Sequence, residues 1–331
     1  MKVTMRLALN CTLAVLLLFP TMSSFAAQPS LTCPGNGSCA SPQPDQWPTN
    51  SVNWNLNPDS SKGNIANGLN FRAVLTSAFA TWSSAPNVAI QFTQGADCST
   101  CSETNNPQNL NFICFACADA QDFTRDSETL GVTISTSQPG AGSFAQITNA
   151  FILFNPADCF TDINGGSCPN GASGNNQIPL QVVATHEIGH LLGLDHTAVV
   201  RSVMFVSASD ITTLSYDDVA GASFLYPKST PDVPTSSISG TVRLNGNAVF
   251  GAHVFADSTT ASQPFSNFSS IRKTPIGAYT IPGGTYTIRG LPADSYTVTA
   301  EPVDLPVQDS DLGLHDAYGQ AVQTNFTTRW H

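Results

Sequence analysis

Residues 186–196 have the residue types and the spacing needed to bind one metal ion and activate one water molecule. The stretch reads His-Glu-Ile-Gly-His-Leu-Leu-Gly-Leu-Asp-His. His186 and His190 are four residues apart, so a helix would place both imidazoles on one face, one turn apart. Glu187 would lie beside that pair, where its carboxylate can reach a water on the metal without being a ligand itself.

Gly193 predicts the end of this helix, because glycine adopts the left-handed conformation of a helix C-cap at little cost. The turn would bring His196 back to the same ion. Three neutral imidazoles with an open fourth position are typical of a catalytic zinc site, whereas structural zinc sites are closed by four protein ligands. Such a zinc lowers the pKa of its bound water to about 7, and Glu187 would act as general base and then general acid.

The pattern is too specific for an amphipathic core helix that carries histidines by chance. At roughly one in twenty per position, five fixed positions arise by chance about once in ten thousand chains of this length. A lone histidine would favour a structural role. Three histidines, a glutamate and a glycine at this spacing favour zinc.

The stretch resembles the long zinc-binding motif of the metzincin peptidases, which is followed by a methionine turn. Residues 202–205, Ser-Val-Met-Phe, are similar to that turn, and the resemblance implies that Met204 supports the metal site from below. Residues 214–227 resemble the closing helix of the matrixin branch, and residues 71–84 resemble its first helix. The resemblance covers about residues 50–228 and implies a zinc-dependent endopeptidase with a polypeptide substrate.

The chain departs from the matrixin pattern in ways that limit what the resemblance implies. Thr197 follows the third histidine, where matrixins usually have serine. No propeptide cysteine-switch motif is present, and Cys33 is expected to pair with Cys39 rather than to cap the zinc. A second, structural zinc is not carried over, because the other histidines all lie beyond the catalytic region: His253, His315 and His331.

The order of apolar patterns predicts an α+β domain over residues 51–228, and the resemblance implies a mixed twisted sheet plus three helices. Apolar residues recur at helical spacing in residues 68–84. The zinc-binding stretch predicts a helix at residues 178–194, and the resemblance implies a last helix at residues 217–225. Strands are predicted at residues 52–56, 88–92, 110–115, 130–135 and 151–154.

The resemblance also predicts where a substrate lies. Phe151 to Asn155 resemble the strand along the substrate cleft, so a peptide is expected to add main-chain hydrogen bonds there. The side chain after the cut would enter a pocket near the zinc helix and the loop 197–207, and Val199, Val200, Phe205 and Val206 in that loop indicate that the pocket is apolar.

Composition divides the remainder of the chain. Residues 1–26 have the positive end, short apolar run and small-residue cleavage site of a secretory signal peptide, and residues 27–50 are predicted to be irregular. Residues 229–237 have the composition of a linker. Residues 238–301 resemble the carboxypeptidase regulatory-like β-sandwich, a small all-β domain. Residues 302–331 are an unassigned tail, expected to lead into further sequence.

Nine cysteines are present, and Cys11 lies in the predicted signal, which leaves eight for disulfides in a secreted chain. The Cys-x-x-Cys motifs at 98–101 and 114–117 favour two disulfides that staple a loop, with a four-thiolate zinc site as the alternative. Cys159 and Cys168 are expected to close a loop before the zinc helix. The Asp-, Asn- and Gly-rich residues 158–177 are typical of surface turns, and a Ca²⁺ site is the less favoured alternative.

Charge and hydropathy restrict the partners and the compartment. The net charge is −11, and the 12 Lys and Arg residues form no basic cluster, which argues against a nucleic-acid partner. No apolar segment is long enough to span a membrane. We therefore expect a secreted, extracellular protein, or a periplasmic one in a bacterium. The sequence does not determine the oligomeric state.

Two other functions are compatible with the motif. One is an extracellular binding protein that keeps a metzincin scaffold without proteolysis, although retention of Glu187 with every ligand argues against lost activity. The other is a zinc hydrolase of a non-protein amide, since the motif determines water activation and not what is cut. A distant glutamate as third ligand, as in thermolysin-like enzymes, is made unnecessary by His196.

Overall fold

The structure is a computed structural model. It describes residues 3–7, 28–35, 37–58, 64–102, 105–106, 108–115, 123, 129–168, 177–207, 211–260, 264–265, 267–268 and 271–330. The remainder of the predicted signal peptide lies outside these residues. No helix in the described part of the chain is long and apolar enough to cross a membrane.

The N-terminal domain, residues 28–227, combines a mixed sheet with three helices. Its helices are α1 (Phe71–Ser83), α2 (Leu180–Leu191) and α3 (Tyr216–Leu225). Strand β1 (Val3–Leu7) precedes this domain and pairs with residues 240–244 near the C-terminus. The strands of the domain before α2 are β2 (Leu31–Thr32), β3 (Gln43–Gln46), β4 (Ser51–Leu56), β5 (Asn64–Ile65), β6 (Gln91–Gln94), β7 (Phe112–Cys114), β8 (Gly131–Gln138), β9 (Ala145–Phe154), β10 (Cys159–Thr161) and β11 (Gln177–Pro179).

Seven of these strands form the main sheet, in the order β2-β3-β9-β7-β4-β6, with β8 paired to β9. The β2–β3 and β8–β9 pairs are antiparallel and the other pairs are parallel. A second, parallel sheet has the order β11-β10-β5. The domain therefore has the predicted α+β class with a mixed sheet.

Helix α1 forms because its apolar residues recur every three or four positions. Asn70 caps its N-terminus by accepting a hydrogen bond from the Ala73 amide at 3.2 Å. The buried face carries Leu75, Ala78, Phe79 and Trp82. The Trp82 indole Nε1 donates to the carbonyl of Thr185 at 2.8 Å, which fixes α1 against α2.

Gly189 is the residue of α2 that Met204 and Trp82 approach closely. A Cβ at this position would lie 2.2 Å from Sδ of Met204 and 2.9 Å from the indole of Trp82. Both of those side chains are completely buried. The absence of a side chain at Gly189 therefore lets the methionine turn and helix α1 pack against the same turn of α2.

The strand beside the substrate cleft differs from the prediction. Phe151 to Asn155 belong to β9 and its end, and β9 pairs with β3 and β7 on one side and with β8 on the other. Its main chain is thus already hydrogen-bonded. The strand that lines the cleft is β8, which pairs only with β9 among the described strands. Apolar patterning predicted both strands, but it carries no information on which one is at the edge.

The N-terminal segment 27–50 is also more regular than predicted, because β2 and β3 lie in it. Its main chain wraps around the end of α2. The Asp195 amide donates to the carbonyl of Gln28 at 2.7 Å, and the Ser30 amide donates to the carbonyl of Gly193 at 2.8 Å. These partners are far apart in the sequence, so local composition could not reveal them.

The C-terminal module, residues 235–330, consists of two antiparallel sheets. Its elements are β12 (Thr235–Leu244), β13 (Asn247–Ala248), β14 (His253–Ser258), β15 (Ile276–Tyr279), β16 (Thr285–Pro292), β17 (Tyr296–Glu301), a 3₁₀ turn (Asp309–Asp311), α4 (Leu314–Tyr318) and β18 (Arg329–Trp330). One sheet has the order β1-β12-β13 with β16 on β12, and the other has the order β15-β14-β17-β18. Apolar side chains of both sheets share one buried cluster.

The segment predicted as a linker is attached to the N-terminal domain. Asp232 accepts a hydrogen bond from the Asn87 amide at 2.7 Å, and the Val233 amide donates to the Asn87 side chain at 2.9 Å. Strand β12 starts at Thr235, inside the predicted linker range 229–237. The segment that joins the two parts of the chain is therefore fixed by hydrogen bonds to the N-terminal domain.

The disulfides in the structure agree with the sequence interpretation. The bonded pairs are Cys33–Cys39, Cys98–Cys101 and Cys159–Cys168. Cys114 is also in a disulfide, and Cys117 lies outside the described residues. Cysteines held in this way cannot supply thiolates, so the four-thiolate zinc alternative is wrong and Cys33 is not available to the metal site.

We predict that Gly189→Ala destabilises the protein by about 1 to 3 kcal/mol, the usual cost of overpacking a dense core. The added methyl group has to displace Met204 or Trp82. Thermal unfolding would measure the loss. Gly142→Ala is the matched control, because a Cβ at that exposed glycine meets nothing within 4 Å. Equal unfolding temperatures for the two variants would show that the packing at Gly189 is not close.

Candidate metal centre

The structure brings His186, His190 and His196 together at one end of the cleft. The Nε2 atom of His186 lies 3.1 Å from Nε2 of His190 and 3.3 Å from Nε2 of His196. Among the described residues, these three form the only group of His, Cys, Asp and Glu with the spacing of a metal site.

The chain reverses at Gly193 so that the third histidine can reach the first two. Gly193 has a φ of +94°, and a Cβ there would lie 2.5 Å from the carbonyl oxygen of Asp45. The Leu194 amide donates back to the carbonyl of Gly189 at 3.0 Å, which closes the end of α2. Both backbone conformation and space therefore require glycine at position 193.

Each imidazole is oriented by a main-chain carbonyl. The Nδ1 atoms lie 2.7, 2.8 and 2.9 Å from the carbonyl oxygens of Val203, Leu194 and Asp311, for His186, His190 and His196 respectively. A carbonyl only accepts hydrogen bonds, so each Nδ1 must carry the proton when the ring is neutral.

The consequence is that three unprotonated Nε2 atoms face one another. None of them can donate to its neighbours, so they are satisfied together only by a cation between them. Three imidazole nitrogens from one chain are the donor set of a catalytic zinc site with an open position. The residues present therefore fit the metal that the sequence predicted.

Burial keeps the rings neutral, as metal ligation requires. Burial, followed by repulsion from His196, lowers the pKa of His186 to about 4. Burial is also the main reason that the pKa values of His190 and His196 are lowered. At neutral pH the three side chains are therefore uncharged and could act as metal ligands.

Glu187 faces the same cavity as the histidines. Burial raises the pKa of its carboxyl group to about 7, and a hydrogen bond from Thr133 acts in the opposite direction. The Thr133 hydroxyl on strand β8 lies 2.7 Å from Oε2 of Glu187 and 2.9 Å from the main-chain oxygen of the same residue. Thr133 thereby links the edge strand of the cleft to the candidate general base.

The methionine turn is held by a buried carboxylate that the sequence analysis did not single out. Asp218 is completely buried and accepts hydrogen bonds from the amides of Val203 at 3.0 Å and Met204 at 3.2 Å, and from the hydroxyl of Ser202. It also accepts from the amide of Ser215 at 2.7 Å, within a capping box at the start of α3. Helix α3 therefore fixes the backbone of Val203 and Met204, and Val203 is the residue whose carbonyl lies 2.7 Å from Nδ1 of His186.

A cavity of about 610 Å³ opens beside the histidines and Glu187. Strand β8 lines one side of it. The apolar lining comes from Leu130, Val132, Val182, Val183, Val203, Val206 and Ile211.

The predicted pocket residues are only partly correct. Val206 lines the cavity, but Val199 is buried elsewhere, Val200 is 65% exposed and Phe205 packs against the C-terminal module. Apolar character predicted burial in this loop. It could not show that part of the loop is covered by the module and not by substrate.

The third histidine has partners that the sequence analysis missed. Asp311, whose carbonyl accepts from His196, lies in the tail that the sequence left unassigned. The hydroxyl of Tyr279 on β15 accepts from the Ala198 amide at 2.7 Å, two residues after the ligand. No sequence signal predicted either contact, because both depend on how the C-terminal module docks.

The remaining predicted elements lie away from the centre. His253 is buried and its Nδ1 lies 3.1 Å from Glu301, and His315 lies 3.1 Å from Asp309. His331 lies outside the described residues. For the predicted Ca²⁺ alternative, Asp162 accepts hydrogen bonds from the amide and side chain of Asn164, as in a surface turn, so calcium stays a prediction.

Comparison with known proteins adds three relatives. The Metalloendoproteinase 2-MMP of Arabidopsis thaliana is 30% identical over 162 residues, which is 47% of this chain and 36% of that protein. The Metalloendoproteinase 1-MMP of the same plant is 44% identical over 85 residues, covering 22% and 23% of the two chains. Stromelysin-3 of Rattus norvegicus is 36% identical over 80 residues, covering 23% and 16%. The chain thus spans about a third of the first relative and less of the others.

A family model provides the broader match. The Matrixin model matches residues 46–227, which is more than half of the chain and contains the three histidines, Glu187 and Met204. The match ends before the C-terminal module. Together with the zinc-ligand geometry, it shows that the chain belongs to the matrixin family of zinc metallopeptidases.

Proposed function

We propose that the protein is a secreted zinc-dependent endopeptidase. The observation that carries the proposal is the convergence of three unprotonated imidazole nitrogens beside the carboxylate of Glu187, at the wall of an apolar cavity. The first relatives are named as metalloendoproteinases, which supports the same reaction class. The disulfides support secretion, because such bonds persist in oxidising compartments.

The histidines would hold zinc, which when bound acts as a Lewis acid on a carbonyl and acidifies a water molecule. Glu187 would be the group that accepts a proton from a water molecule in the cavity, at a carboxylate oxygen, and donates it to the amine of the departing peptide. The hydroxyl of Thr133 keeps this carboxylate aimed at the cavity. Met204 and Gly193 have supporting roles: one packs below the ligands and the other makes the turn to His196.

The position of strand β8 supports the proposal that the substrate binds in an extended conformation. Strand β8 is an edge strand of the main sheet among the described strands, and its residues Gly131 to Ser135 lie along the cavity. A peptide can therefore add main-chain hydrogen bonds to β8, as in other cases of β-strand addition. Val182, Val206 and Ile211 favour an apolar side chain directly after the scissile bond.

We also propose that the C-terminal module is a β-sandwich of the carboxypeptidase regulatory-like kind. Its two antiparallel sheets and their shared apolar cluster support this assignment. The domain boundaries 51–228 and 238–301 remain predictions.

The decisive variant is Glu187→Ala, tested on unfolded casein. We expect the wild-type chain to cleave casein in a zinc-dependent manner and the variant to lose at least about 100-fold in rate while keeping its zinc, because general-base catalysis contributes about 10²- to 10⁴-fold. Cleavage products would be followed by mass spectrometry and metal content by elemental analysis. Zinc-loaded wild-type protein that cleaves no polypeptide would favour the binding-protein or non-protein amide alternatives.

The Thr133 hydroxyl should affect the protonation of Glu187. Glu187 must be deprotonated to act as a base, and the Thr133 hydrogen bond lowers its pKa. Without the donor the pKa rises, so we expect the acid limb of kcat/KM to move to higher pH in Thr133→Val. At neutral pH kcat/KM should fall about tenfold, since a hydrogen bond to a charged group contributes about 1.5 to 3 kcal/mol.

Thr133→Ser is the matched control, because it keeps the hydroxyl while removing the methyl group. Its acid limb should coincide with that of the wild type. Coinciding limbs for all three proteins would contradict the role given to Thr133.

A further inference from the structure

We propose that the C-terminal module is part of the zinc centre and positions its third ligand, His196, together with the loop that follows. The inference rests on the zinc site of the proposed function, but not on peptide cleavage. It assigns positioning roles to Asp311 and Gly313 in the tail and to Tyr279 on β15, all outside the segment that the family model matches.

The first contact is the carbonyl of Asp311. The carbonyl groups that accept a hydrogen bond from Nδ1 of His186 and of His190 belong to residues no more than 17 positions away, within the N-terminal domain. His196 takes its partner 115 positions away, in the module. Partners of this kind determine the tautomer and ring orientation of a metal-binding histidine. Without Asp311 the Nδ1 proton of His196 loses its acceptor, and Nε2 is no longer directed at the other two nitrogens.

The Asp311 carbonyl is itself firmly placed. Asp311 is the last residue of the 3₁₀ turn, and its carboxylate accepts a hydrogen bond from the Gln308 amide at 2.7 Å. The next residue, Leu312, is completely buried in an apolar cluster with Tyr279 and Phe250. The tail at this point is therefore a rigid part of the module and not a loose end.

The second contact is between Gly313 and Asp195. Gly313 has a φ of +59°, and a Cβ there would lie 2.5 Å from Oδ2 of Asp195. The other carboxylate oxygen of Asp195 accepts from the His196 amide at 2.7 Å. The tail thus touches both the ligand and the residue that holds the backbone of the ligand.

The third contact is the Tyr279 hydroxyl. Tyr279 is buried, and its oxygen accepts from the Ala198 amide at 2.7 Å. Ala198, two residues after His196, is therefore anchored to β15.

The rest of the interface fixes the module relative to α3. The Gly277 amide donates to the buried carboxylate of Asp217 at 2.8 Å, and the Tyr216 amide donates to the carbonyl of Arg272 at 3.0 Å. A Cβ at Gly290 would lie 2.7 Å from the side chain of Ala220. Buried polar groups that lose such partners are costly, so the module docks in one arrangement.

The test measures zinc affinity in the full-length chain, with zinc alone as the probe. Apo-protein would be titrated with Zn²⁺ against a chromophoric chelator, and the Co²⁺-substituted protein would report ligand geometry by its absorption spectrum. The variants are Tyr279→Phe, which removes the acceptor of the Ala198 amide, and Gly313→Ala, which forces the tail and the Asp195 carboxylate apart.

Each variant has a matched control in the same module. Tyr296→Phe removes a hydroxyl that also makes a 2.7 Å hydrogen bond, but to Pro292 within the module. Gly246→Ala adds a methyl group at a φ of +88° with nothing within 4 Å, so it has comparable backbone strain without the contact.

We expect the two test variants to bind zinc at least about tenfold more weakly than the wild type and to change the Co²⁺ spectrum, because orienting partners typically contribute about 10- to 100-fold in metal affinity. The two controls should stay within about twofold of the wild type. Wild-type affinity and spectrum in both test variants would overturn the proposal while leaving the peptidase proposal intact. A wild-type chain that binds no zinc would overturn both.

Discussion

The structure depends on three histidine Nε2 atoms whose lone pairs face one another. Three imidazoles present unprotonated Nε2 atoms to one another, with Nε2 of His186 3.1 and 3.3 Å from those of His190 and His196, because each Nδ1–H donates a hydrogen bond to a main-chain carbonyl. This arrangement leaves no proton with which the rings could satisfy each other, so it requires a cation. The surrounding fold holds three separate main-chain carbonyls in the positions that orient the histidine rings.

The three carbonyls come from three different structural features. Val203 precedes the buried methionine, and Asp218 of helix α3 holds its amide. Leu194 follows the glycine turn that ends the zinc helix. Asp311 belongs to the C-terminal module, which connects the ligand loop to a region beyond the matched family segment. The catalytic centre of this chain is therefore assembled from both halves of the molecule.

Much of the site could be predicted from the sequence, because its residues are close together along the chain. The spacing of residues 186–196 predicted the zinc helix, the turn and the ligand set. Apolar periodicity located α1, and the resemblance to matrixins located α3, each to within a few residues. The rest depended on contacts between distant segments. The edge position of β8, the hydrogen bond from Thr133 to Glu187 and the docking of Asp311 on His196 leave no local pattern. Asp218 was part of a recognised segment, but its role required the structure.

The most direct test of the account is the zinc coordination of the full-length protein by X-ray absorption spectroscopy. We predict one zinc per chain with three imidazole nitrogens at about 2.0 to 2.1 Å and one further light-atom ligand, as expected for a catalytic site. A sulfur shell at about 2.3 Å would contradict the account, because it would place the metal on the cysteines.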